Sequence, residues 1–78
     1  MAAPFRVGDR VRLVALPSYL KTAEPMPMLK PATVLAVGDQ GVVLDHRPGG
    51  YWGVRFAPGA FLIDGQFLEK LTDPLPER

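Results

Sequence analysis

An all-β fold is what this sequence predicts, and three observations carry the prediction. The first is punctuation. With 9 Pro and 8 Gly in 78 residues, long uninterrupted helices are excluded, because proline lacks a backbone donor and glycine favours turns. The second is a set of short runs in which apolar and polar residues alternate, as half-buried strands require. The third is size: a chain this short forms one domain burying roughly 60% of the surface its unfolded state exposes. A hydrophobic fraction of 47% supplies one core and argues against disorder along the whole chain.

The elements follow in order. Phe5, Val7, Val11 and Leu13 share one side of the first segment, interrupted by Asp9, while Arg6, Arg10 and Arg12 share the other. Gly8-Asp9 marks a bulge or turn, so the strand proper spans residues 10–14. Residues 15–33 hold Pro17, Pro25, Pro27 and Pro31 and read as a long loop, yet an apolar one with Leu16, Tyr19, Leu20, Met26, Met28 and Leu29. Residues 34–37 (Val-Leu-Ala-Val) lead into the turn Gly38-Asp39-Gln40-Gly41, whose two glycines offer positive φ. A short strand, 42–44, ends at Asp45, and 46–50 is a second turn. Tyr51–Phe56 is the next strand, with Trp52, Val54 and Phe56 on one side and Tyr51, Gly53 and Arg55 on the other. Ala57-Pro58-Gly59 connects to a strand at 60–63, Asp64-Gly65 turns again, and 66–71 supplies the last element.

Strand, long loop, strand, turn, strand, turn, strand, helical turn, strand is the order of a small five-stranded SH3-like barrel with a long Pro/Met-rich first loop. Closure would also remove the open edges of so small a sheet. The domain covers residues 1–72, and 73–78, with Pro74 and Pro76, is expected to be a frayed tail.

Composition narrows the chemistry. There is no cysteine, hence no disulfide, thiol nucleophile or Cys-ligated metal. His46 is the only histidine and Ser18 the only serine, and neither lies in a nucleophile-elbow sequence. No enzyme activity, metal or cofactor is expected, and His46 reads as an exposed loop residue. A formal net charge of +1 provides little attraction for nucleic acid or anionic lipid. The first residues lack the pattern of a signal peptide and no apolar run approaches membrane-spanning length, so the expected location is cytoplasmic.

Two levels of resemblance stand beside this reading. Gly8-Asp9-Arg10-Val11 and Gly38-Asp39-Gln40-Gly41-Val42-Val43 are loose signatures of SH3-like modules in general, which host many functions. Three longer blocks are more specific: residues 21–31 with Met26-Pro27-Met28, residues 41–56 with Gly49-Gly50-Tyr51-Trp52-Gly53, and Gly59-Ala60-Phe61-Leu62. Together they resemble the SipA-like family of small cyanobacterial regulators, partners of the sensor histidine kinase NblS. The resemblance implies a regulatory protein that binds the ATP-binding domain of the kinase and enhances its autophosphorylation in stress signalling.

The residues expected to meet a protein partner are Tyr19, Lys21, Met26, Met28, Leu29, Arg47, Tyr51, Trp52 and Arg55. Methionine adapts to irregular apolar surfaces, and flanking prolines keep a segment extended and lower the entropy lost on binding. Tyrosine, tryptophan and arginine are enriched among binding hot spots. Against this, Met28 and Leu29 also suit a barrel cap, Trp52 also suits the core, and the arginines also suit a solvated face paired with Asp9, Asp45 and Glu69. Two other functions fit the composition less closely: a docking or structural subunit of a photosynthetic electron-transfer complex, and a nucleic-acid-binding SH3-like module.

Overall fold

The computed structural model describes residues 5–23 and 28–71. The expected tail at 73–78 and Met26 lie outside the described residues. Seven antiparallel strands form one sheet: β1 (Arg10–Leu13), β2 (Tyr19–Thr22), β3 (Leu29–Pro31), β4 (Gln40–Arg47), β5 (Tyr51–Phe56), β6 (Gly59–Asp64) and β7 (Leu68–Lys70). Their spatial order is β3-β2-β6-β5-β4-β1-β7. The all-β expectation holds. Seven strands replace the expected five, and the sheet ends at β3 and β7, with no pairing between them among the described residues.

One correction accounts for the difference. The long first loop contains a hairpin, in which Tyr19 faces Pro31, Leu20 faces Lys30 and Lys21 faces Leu29. Proline is tolerated there because β3 is an edge strand with one unpaired side. Residues 34–37, which lead into the turn at Gly38, form no strand. A 3-10 turn spans Ala32–Val34, after which Asp39 Oδ2 accepts from the Ala36 N–H at 2.9 Å and the Gly38 N–H donates to the Leu13 carbonyl at 2.7 Å. Only Leu35 of that apolar run is buried, while Val34 and Val37 are exposed. Strand β4 is longer than expected, running from Gln40 past Asp45 to Arg47, while the helical turn expected before the last strand is the 3-10 turn Gly65–Phe67.

The core lies on the inner side of the sheet. Val11 and Leu13 of β1, Leu20 of β2, Val43 of β4, Trp52, Val54 and Phe56 of β5, Phe61 and Ile63 of β6 and Leu68 of β7 are buried there, joined by Phe5 and Leu35. Val7, expected on this side, is 68% exposed, because the Gly8-Asp9 turn resets the alternation: Gly8 has φ of 93° and the Asp9 N–H donates to the Arg6 carbonyl. No α-helix occurs among the described residues.

A bulge in β4 decides what the other side of the sheet presents. Val43 faces Val54, but the next pair is Asp45 with Gly53, so Leu44 is the extra residue. A one-residue shift exchanges the two sides of a strand. Beyond it Asp45 and Arg47 join the outer side, and His46 joins the inner side opposite Trp52. His46 is therefore a strand residue and not a loop residue, exposed as expected, with its ring stacked on that of Trp52 at 4.1 Å and 12°.

Ion pairs on the outer side are solvent-exposed. Arg12 and Glu69 face each other across β1 and β7 and form one. Their side chains are 45% and 53% exposed, so solvent screens the pair and Glu69→Ala is expected to cost at most about 1 kcal/mol. Thermal melts of the single and double alanine variants measure this, and a coupling well above that value would show a stronger pair.

Candidate functional site

Cross-strand rows on the outer side build the site. Tyr51 stands between Asp64 of β6 and Arg47 of β4. One row further along, Lys21 of β2 faces Leu62, which faces Gly53. Tyr19 lies two residues before Lys21 and is exposed on the same side. The segment between β1 and β2 (Leu16, Pro17 and Ser18) and the turn before β7 (Gln66 and Phe67) rise as walls. With Pro48 these residues enclose an open groove of about 670 Å³.

Backbone needs place these side chains. Gly49 and Gly50 have φ of 81° and 82°, values that only glycine adopts without strain, and they bring the chain around so that Arg47 and Tyr51 meet across β4 and β5. Gly53 is required for a different reason: a Cβ there would collide with Asp45 Oδ1. The Asp45 carboxylate lies over Gly53, and its Oδ2 accepts from Arg47 Nε at 3.0 Å. Oδ1 is buried without a hydrogen-bond partner.

The electrostatics of the groove are asymmetric. Asp64 accepts from the Gln66 backbone N–H and side-chain amide at 3.1 and 3.3 Å, so its carboxylate is occupied in capping the 3-10 turn. The Lys21 ammonium forms no ion pair among the described residues. Arg47 spends Nε on Asp45 and keeps the rest of its fork for other acceptors.

The expected partner residues distribute as follows. Tyr19, Lys21, Arg47 and Tyr51 line the groove. Leu29, opposite Lys21 at the β3 edge, is 63% exposed, and Arg55 lies on the outer side opposite Ala60 and Val42. Met28 is 55% exposed, its N–H donating to Thr22 Oγ1 at 2.8 Å. Trp52 belongs to the core at 3% exposure, as its alternation with Val54 and Phe56 allowed. Residues not expected from the sequence are Leu62, which reads as part of a core strand, and the walls at Leu16, Pro17 and Phe67. The signal available for the walls was the concentration of Pro and apolar residues in a segment that is no strand.

Residues 7–68 match the family model described as Protein CHLORORESPIRATORY REDUCTION 42-like. The chain belongs to this CRR42-like family. A curated relative, Protein CHLORORESPIRATORY REDUCTION 42, chloroplastic, from Arabidopsis thaliana, is 34% identical over 67 residues, covering 85% of this chain and 55% of that protein. The chain thus spans about half the length of this relative. No solved structure matches.

Membership of the CRR42-like family overturns the SipA-like resemblance, and the histidine-kinase, two-component and cyanobacterial expectations fall with it. The blocks that suggested it lie inside the span matched by the CRR42-like model. Their unusual features answer backbone demands: Gly49-Gly50 shapes the β4–β5 connection and Gly53 makes room for Asp45. Such residues report the fold's needs and carry no information about a partner. The cytoplasmic expectation is corrected too, since the relative is a chloroplastic protein by name.

Proposed function

We propose that this chain is a non-enzymatic docking module for a protein of a photosynthetic electron-transfer complex. The observation that carries the reading is a groove lined by Tyr19, Tyr51, Lys21 and Arg47 in a member of a family named for chlororespiratory reduction. Aromatic side chains and cations around a concave surface are the chemistry of recognition, and the relative's chloroplastic name supports the setting. The module is an SH3-like barrel in this reading. A lone sheet with one apolar side and no second layer must coil on itself to bury that side, and the antiparallel order of β1, β4, β5, β6 and β7 suits such coiling.

Tagged full-length chain incubated with detergent-solubilised thylakoid membranes is expected to recover subunits of one electron-transfer complex in fixed proportion. Recovery of no such subunit, or of a soluble kinase in its place, would sink the proposal.

A further inference from the structure

We propose that the groove receives an extended acidic segment of the partner, with carboxylates meeting Lys21 and Arg47 and apolar residues lying against Tyr19 and Tyr51. This rests on the docking reading above and names the kind of segment recognised. Charge complementarity carries it. Each carboxylate among the described residues already has an internal partner: Asp9 with the Arg6 N–H and Lys70, Asp39 with Ala36, Asp45 with Arg47, Asp64 with Gln66 and Glu69 with Arg12. Lys21, like Arg6, Lys30 and Arg55, forms no ion pair among the described residues, and of these four it is the one that lines the groove.

The whole-chain charge of +1 conceals this surplus. Glu24, Asp73 and Glu77 lie outside the described residues, as against Arg78 alone among the cations. The described part is therefore more basic than the chain as a whole.

Spacing refines the segment. Lys21 on β2 and Arg47 on β4 are separated by β6 and β5 and lie one row apart along the strands, a span of roughly 16 Å from ~4.8 Å per strand and ~7 Å per row. An extended chain covers that distance in about four to five residues. Acidic residues about four to five positions apart thus reach both cations, while the residues between them cross Tyr51 and Leu62. Arg47 suits a carboxylate because its guanidinium offers a planar fork. A single-stranded nucleic acid is disfavoured, since Asp64 also lines the groove and phosphates would follow the whole length of the chain.

The test is a heteronuclear NMR titration of the isotope-labelled full chain, at low and at moderate salt. One probe is a short peptide with two glutamates about four residues apart and leucine and proline between them. A second is its glutamine counterpart, and a third is oligouridylate. Amide shifts at Tyr19, Lys21 and Tyr51 are expected with the glutamate peptide, and affinity is expected to fall at least ~10-fold with the glutamine peptide or with Lys21→Glu. Equal binding of both peptides, shifts centred on β1 and β7, no shift at all, or tighter groove binding by oligouridylate overturns the proposal. The exposed positions of Lys21 and Tyr51 leave the fold intact in Lys21→Glu and Tyr51→Ala, which a dispersed amide spectrum verifies. Thylakoid recovery then separates the two readings. Recovery by both variants equal to that of the unmodified chain overturns the groove assignment and spares the docking reading. Recovery of nothing by the unmodified chain overturns the docking reading, and the peptide titration still judges the groove.

Discussion

Replacing Trp52 with alanine is expected to cost about 3–5 kcal/mol, the range for removing a fully buried aromatic side chain. Trp52 is 3% exposed, meets the Phe5 ring edge-on at 5.2 Å and 87°, and carries His46 stacked on its other surface. The substitution opens a cavity among Phe5, Ile63 and the β4 bulge, and it removes the ring on which His46 stacks. A domain of this length has a total stability of about 4–12 kcal/mol, so the variant loses a large fraction of it. Because Trp52 is the only tryptophan, its fluorescence vanishes with it, and far-UV circular dichroism during urea unfolding is the suitable readout. Tyr51→Ala, one residue away but 44% exposed, is expected to shift stability by about 0.5 kcal/mol or less. Similar costs for the two variants would contradict the assignment of Trp52 to the core and Tyr51 to the groove.

The second large effect is expected from the smallest side-chain addition. Gly41→Ala places a methyl group 2.7 Å from the Arg55 carbonyl oxygen, 2.7 Å from Val54 Cγ1 and 3.0 Å from Phe56 Cδ1. One of these atoms is backbone and cannot swing away, so relief requires β4 and β5 to separate. Overpacking of this kind costs about 1–3 kcal/mol, with the upper end expected here. Gly38→Ala is the control: its Cβ would meet nothing within 4 Å, but the residue has φ of 99°, so the cost comes from backbone conformation alone. Urea midpoints of the two variants distinguish these causes. Hydrogen exchange should show faster opening of the β4–β5 ladder in Gly41→Ala, whereas Gly38→Ala should loosen only the turn. A Gly41→Ala protein with unmodified exchange in β5 would disprove the close strand approach.

Those two glycines illustrate how much of the fold the sequence discloses. Both read as turn residues, since they bracket Asp39-Gln40. Gly38 is one, while Gly41 lies buried within β4, where its lack of a side chain serves packing. Composition does not separate these two uses of glycine. Strand β5 was legible because Trp52, Val54 and Phe56 keep strict alternation between two turn sequences. The β2–β3 hairpin was hidden because its prolines argue against a strand, and only its position at the sheet edge permits Pro31. Residues 34–37 were legible only as the approach to a turn: Leu35 alone turns inward, and the hydrogen bonds of Asp39 and Gly38 fold the remainder into a corner. Of the groove, the exposed tyrosines and cations were legible from alternation and hot-spot chemistry. Its walls were not, because they come from segments brought together only by tertiary folding. The family itself was beyond short blocks of turn-forming residues, which unrelated small β domains need alike.

The extra residue at Leu44 has a consequence for anyone who wishes to redirect recognition. Along β4 the alternation keeps one rhythm up to position 43 and the opposite rhythm from 45 onward. A combinatorial library drawn by simple alternation from Val42 would diversify His46, and so scramble the support of Trp52 while leaving the groove unaltered. Diversity belongs at Arg47, which lines the groove on the far side of the phase change.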